Sequence, residues 1–66
     1  MNIIFNGCPE QLPDGATVQD FLAHVDLHLK RVAVEVNGEI VPKSLHATHL
    51  LADDDTVEIV HALGGG

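Results

Sequence analysis

Hydrophobic and polar residues alternate at period two at the start of the chain. Met1, Ile3 and Phe5 fall on one side, and Asn2, Ile4 and Asn6 on the other, which predicts a strand. Asn6-Gly7 follows at once. Both residues tolerate positive φ, so the pair predicts a two-residue hairpin turn. The return strand is expected over roughly Pro9 to Leu12. Pro9 lacks an N–H, which places that strand at an edge. Asp14-Gly15 ends the hairpin, and the period then changes. Val18, Phe21, Leu22, Val25 and Leu29 recur at helical spacing on one face. Thr17 is suited to cap that helix, with Asp20 three residues on as an acidic variant of the capping box. The helix is expected from Val18 to about Val25, with Lys30 and Arg31 closing the region.

Period two returns in "RVAVEVNGEIVP". Val32, Val34 and Val36 alternate with Ala33, Glu35 and Asn37. Asn37-Gly38 is a second hairpin turn, and Ile40-Val41 begins a short return strand that Pro42 stops. "KSLHATHLL" has the composition of a short helical turn or irregular loop. "ADDD" reads as a turn, and "TVEIVHAL" as the last strand, with Val57 and Ile59 facing one way and Glu58 and Val60 the other. The order is strand, strand, helix, strand, strand, short turn, strand. A lone amphipathic helix must bury its stripe on a sheet. The expected fold is therefore α+β: a β-grasp, ubiquitin-like architecture with a mixed sheet of four to five strands and one main helix packed on one face. A β-grasp domain over residues 1–62 and a flexible Gly-rich tail over 63–66 are expected.

Composition narrows what such a domain can do. Sixty-six residues make one small domain, and 45% are hydrophobic, enough to fold. Phe5 and Phe21 are the only aromatics, so Val, Leu and Ile must build the core. Ten acids against three bases give a net charge of −7. That argues against nucleic acid and against an anionic membrane, and it favours a basic protein partner. Cys8 is the single cysteine, which excludes an intramolecular disulfide. The start "MNIIFNG" has no basic region or long apolar run, so neither a signal peptide nor a membrane span is expected. A cytoplasmic location and a monomeric free state are expected.

Candidate chemistry inside the domain is sparse. His24 and His28 are four apart, and His46 and His49 three apart, spacings that can ligate a metal. A metal needs three or four convergent ligands, so these histidines, and His61, are expected to be surface or boundary residues. Cys8 lacks a readable histidine partner and is expected to be a small residue at a strand end. The Asp53-Asp54-Asp55 run lacks the calcium-loop pattern and is expected to be a solvated turn. No bound cofactor or metal is expected. The terminal Gly64-Gly65-Gly66 remains. A tail without side chains can enter a channel that Cβ atoms would block. It would deliver one carboxylate to an enzyme's nucleotide site, where activation as an acyl-adenylate makes it an electrophile.

"NIIFNG", "ATVQDFLAHVDL", "VAVEVNGEIVPKS" and "DDDTVEIVHALGGG" together resemble the ThiS family, the sulfur-carrier proteins of thiamine biosynthesis, over essentially the whole chain. The resemblance implies that Gly66 is adenylated by an E1-like adenylyltransferase (ThiF-like) using ATP and magnesium. It implies conversion to a thiocarboxylate, with sulfur from a cysteine desulfurase or similar donor. It implies delivery of that sulfur to thiazole synthase (ThiG-like). The chain would be a carrier and co-substrate, not an enzyme, with Gly64 and Gly65 threading the tail. One departure stands out. The family often has Asp-Gly-Asp where this chain has Asp53-Asp54-Asp55.

The strand pattern adds a docking surface. Val60 and Ala62 are expected to face away from the helix, with Leu63 just beyond. Ala33 shares that face if the two strands pair, and Glu58 lies on its charged rim. Two other readings share such a tail: a molybdopterin-synthase-type sulfur carrier and a ubiquitin-like modifier that forms isopeptide bonds. A metal-binding regulator acting through the histidines is a further class.

Overall fold

A computed structural model describes residues 1–27 and 31–61. Strand β1 (Asn2–Phe5) turns at Asn6-Gly7 into β2 (Cys8–Gln11). Helix α1 (Val18–His24) follows, then β3 (Val32–Val36) and β4 (Glu39–Val41). A single 3₁₀ turn (Lys43–Leu45) leads to β5 (Thr56–His61). The five strands form one sheet in the order β2-β1-β5-β3-β4. β5 enters the middle, parallel to β1 and antiparallel to β3. This is the expected mixed β-grasp sheet.

The two hairpins form for the reason their sequences indicate. Asn6 and Gly7 have φ of 47° and 84°, and Asn37 and Gly38 have 52° and 85°. Positive φ at both central residues is what a two-residue turn needs to match strand twist. Because the turn is only two residues, Cys8 pairs directly with Phe5. The return strand therefore runs over Cys8–Gln11, one residue earlier than expected, and it occupies the sheet edge as Pro9 requires.

Helix α1 starts on the expected capping box. The Thr17 side chain accepts from the Asp20 N–H at 3.1 Å, and Asp20 accepts from the Thr17 N–H at 2.9 Å. Two further N–H groups of the first turn find partners outside the helix. Val18 donates to the His49 carbonyl and Gln19 to the His46 carbonyl. The segment after the 3₁₀ turn thus closes the helix start, where backbone donors otherwise lack acceptors. At the other end Val25 is the C-cap rather than a helical residue, and Asp26 follows in the left-handed region at φ 61°. Leu29 and Lys30 lie outside the described residues.

Val18, Phe21 and Leu22 bury the helix stripe against Ile3, Val34, Val36, Val41 and Val57. Phe21 and Phe5 meet edge to face, with ring centroids 5.0 Å apart at 75°. The two aromatics of an otherwise aliphatic core therefore sit in the arrangement their quadrupoles favour.

Candidate functional site

Alternation along each strand decides which residues the helix leaves uncovered. On β5, Val57 is fully buried and Ile59 packs against the core, whereas Glu58 is exposed and Val60 is 52% exposed. On β3, Val34 and Val36 are buried, and Ala33 and Glu35 point to the opposite side. The register then sets the neighbours. Ala33 stands opposite Val60, and Glu35 opposite Glu58. The expected pairing of Ala33 with Val60 on the uncovered face is therefore present.

Three more residues belong to this face. Ile40 on β4 pairs with Glu35 and is 58% exposed. Ile4 on β1, half-buried, pairs with exposed Thr56. Glu35 itself completes a row, Glu58–Glu35–Ile40, running across three strands. None of these was singled out from sequence. The signal for Ile40 was there, because a two-residue turn at Asn37-Gly38 places Ile40 opposite Glu35. Ile4 required knowing that β5 lies beside β1, which only the folded sheet supplies.

The described end of β5 is held on one side by Asn6 and on the other by β3. The Asn6 N–H donates to the Val57 carbonyl at 3.1 Å, and the Asn6 side-chain carbonyl accepts from the Ile59 N–H at 3.3 Å. β5 is thereby fixed beside the first hairpin turn up to the residues preceding His61. Ala62, Leu63, Gly64, Gly65 and Gly66 lie outside the described residues, and so does the expected boundary at residue 62.

Asp53-Asp54-Asp55 forms a hydrogen-bonded turn. Asp53 accepts from the Asn2 N–H at 2.7 Å, and Asp55 accepts from the Ala52 N–H and from the Asn37 side-chain amide. Asp54, at φ 69°, occupies a left-handed position, the conformation that glycine adopts most readily. The carboxylates of Asp53 and Asp55 thus serve the backbone that leads into β5. Among the described residues no three His, Cys, Asp or Glu side chains converge to hold a metal ion. His24 lies 3.5 Å from Glu10 on β2. His46, expected at the surface or its boundary, is buried, with Nε2 3.0 Å from the Val41 carbonyl. His28 lies outside the described residues. Cys8 is exposed at the start of β2. Among the described residues no helix is long and apolar enough to cross a membrane.

Among the described residues the geometry amounts to a small scaffold with one face of the sheet covered by a helix and the other left open. Known proteins share this plan. A family model described as the ThiS family matches residues 3–66. The chain is 47% identical over 53 residues to the sulfur carrier protein ThiS of Bacillus subtilis, covering 80% of each chain. It is 39% identical over 66 residues to a thiazole synthase of Paramagnetospirillum magneticum, where all of this chain spans 20% of that protein's length. The crystal structure of the thiamine biosynthesis protein ThiS from Geobacter metallireducens matches with a TM-score of 0.87 and 29% identity, covering 100% of both chains.

Proposed function

The chain belongs to the ThiS family, the sulfur carriers of thiamine biosynthesis, and we propose that its Gly66 carboxylate is the group that carries the sulfur. An oxygen of that carboxylate attacks the α-phosphorus of ATP on an E1-like adenylyltransferase and displaces pyrophosphate. ATP and magnesium are the enzyme's, not ligands of this domain. Sulfide then adds to the acyl carbon and expels AMP; where the donor is a persulfide formed by a cysteine desulfurase, its terminal sulfur adds instead, and a second thiol attacks the resulting acyl disulfide, leaving as a disulfide with the donor cysteine. The product is a thiocarboxylate, which gives its sulfur to the substrate of a thiazole synthase and returns as carboxylate, the oxygen that replaces the sulfur coming from water or from the carbonyl group that the sulfur displaces. The observation that carries this reading is the family match through Gly66, together with three consecutive glycines, Gly64 to Gly66, that have no side chains to block a narrow channel. The likeness to a fifth of a thiazole synthase supports the synthase as recipient, since carrier-like and synthase sequence occur there in one polypeptide.

On this reading Gly64 and Gly65 thread the tail, and the open sheet face docks the enzymes. Val60, Ala33 and Glu58 form the described part of that surface, and Ala62 and Leu63, expected to extend it, lie outside the described residues. Support comes from the exposure of Val60 and its position opposite Ala33, since clustered exposed apolar groups are typical of docking sites; Glu58, expected on a charged rim, stands instead in the central strand of the sheet.

The test uses the purified chain with ATP, magnesium, the adenylyltransferase of the same organism and sulfide. Intact mass should rise by the exchange of one oxygen for one sulfur. Removing Gly66, or adding one alanine after it, should abolish that gain while the thermal melt is unchanged. A chain lacking Gly66 that still supported thiazole formation would refute the proposal. A much heavier adduct would instead indicate a protein modifier.

A further inference from the structure

The open face carries a feature that the carrier reading alone does not require. Glu35 and Glu58 stand directly opposite each other on adjacent strands. Side chains so placed have Cβ atoms about 5 Å apart, and like charges there destabilise the pair. Among the described residues neither carboxylate has an ion-pair partner. The pair is not at a ragged rim. It sits in the central strands of the sheet, with Ile40 beside Glu35 and the Ala33–Val60 pair in the next row. A like-charged pair in the central strands, beside Ile40, Ala33 and Val60 and with no cation opposite it among the described residues, suits a cationic group on a partner.

The complementary group is a cation on a protein. Nucleic acid and anionic lipid are repelled by a chain of charge −7. A bare metal ion needs more ligands than two carboxylates on an open sheet provide. A guanidinium fits both demands, because it is planar, permanently charged and able to bond two carboxylates from one fork, and its flat faces tolerate apolar neighbours. We propose that Glu35 and Glu58 together receive an arginine side chain on the activating enzyme, with Ile40, Ala33 and Val60 making apolar contact around it. This rests on the carrier reading and names the chemistry by which the carrier is recognised.

The test is pyrophosphate exchange with the adenylyltransferase of the same organism, read as KM and kcat for the chain at several salt concentrations. Wild-type chain that supports no exchange counts against the carrier reading, independently of the pair. With exchange established, the Glu35→Gln, Glu58→Gln double variant should raise KM about tenfold, leave kcat unchanged and flatten the salt dependence. Its melting temperature should be no lower than wild type, because a repulsion has been removed. Glu58→Lys should be more stable still, through a new cross-strand pair with Glu35, and yet bind worst. Asp14→Asn removes the same charge from a 94% exposed side chain in the loop before α1, and it should change KM less than twofold. The proposal is overturned if the double variant keeps the wild-type KM, if Asp14→Asn raises KM as much, or if the double variant melts lower.

Discussion

Val57 and Val60 are the same residue type, three positions apart on the same strand, and their environments are opposite. Val57 has no exposed surface, and Val60 is 52% exposed. The difference is not in the strand, which continues through both, but in what lies above each face. Helix α1 and its stripe cover the first, and nothing among the described residues covers the second. A sheet with one helix cannot bury both faces, so the second must be solvated or docked. This chain solvates it only in part, keeping Ile4, Ile40, Ala33 and Val60 there. The covered face makes the fold, and the open face is free to be tuned for partners.

An identical substitution on each face gives the sharpest test. Val57→Asp places a carboxylate where there is neither water nor a partner, and such burial is among the costliest single changes. A domain of this size has little stability to lose, so the variant should be unfolded at room temperature by circular dichroism. Val60→Asp should shift stability by no more than about 0.5 kcal/mol, the usual range for surface changes. It should still weaken complexes with the adenylyltransferase and the synthase. If Val60→Asp unfolded the chain, the open face would be part of the core and the comparison would collapse.

A smaller effect is expected at the start of the helix that makes the two faces differ. Thr17→Ala removes one arm of the capping box and should cost about 1 kcal/mol in urea unfolding. Because Thr17 lies at the start of the covering helix, bridged to Leu50 and away from the open-face residues of β3, β4 and β5, the KM for the activating enzyme should not change once folded chain is counted. A changed KM would mean that the helix side also meets the partner.

The features legible in the sequence are those set by neighbours along the chain. Asn6-Gly7 and Asn37-Gly38 announce turns because few other pairs accept two positive φ values. Thr17 and Asp20 announce a helix start because each satisfies the other's backbone. Alternation in Val32–Val36 and Thr56–His61 tells inner from outer positions, which is how Val60, Ala33 and Glu58 came to be grouped. What could not be read depends on distant segments meeting. The segment around His46 and His49 reads as a short helical turn or irregular loop, and Lys43–Leu45 is such a turn, but nothing local says that the carbonyls of His46 and His49 accept the helix N–H groups. His46 is buried because its ring reaches the Val41 carbonyl, a contact that no local pattern encodes. The insertion of β5 between β1 and β3 makes Ile4 part of the open face, and this too is a matter of tertiary arrangement.

The smallest expected effect lies at a turn that belongs to neither face. Asp54 holds φ 69°, a region that strains residues with a Cβ, although Asp tolerates it better than most. Its neighbours Asp53 and Asp55 make the side-chain hydrogen bonds of this turn, so Asp54→Gly removes strain without removing those bonds. Glycine also gives the unfolded chain more freedom, which takes back about 0.4–1 kcal/mol of the gain. The balance should be a rise of a few tenths of a kcal/mol, seen as a higher urea midpoint with an unchanged slope. Neither the burial of Val57 nor the docking role of Val60 depends on this turn's side chain, so the KM for the activating enzyme should stay as it is. A loss of stability would mean that the Asp54 side chain, and not just the left-handed backbone, helps to set β5 between the two faces.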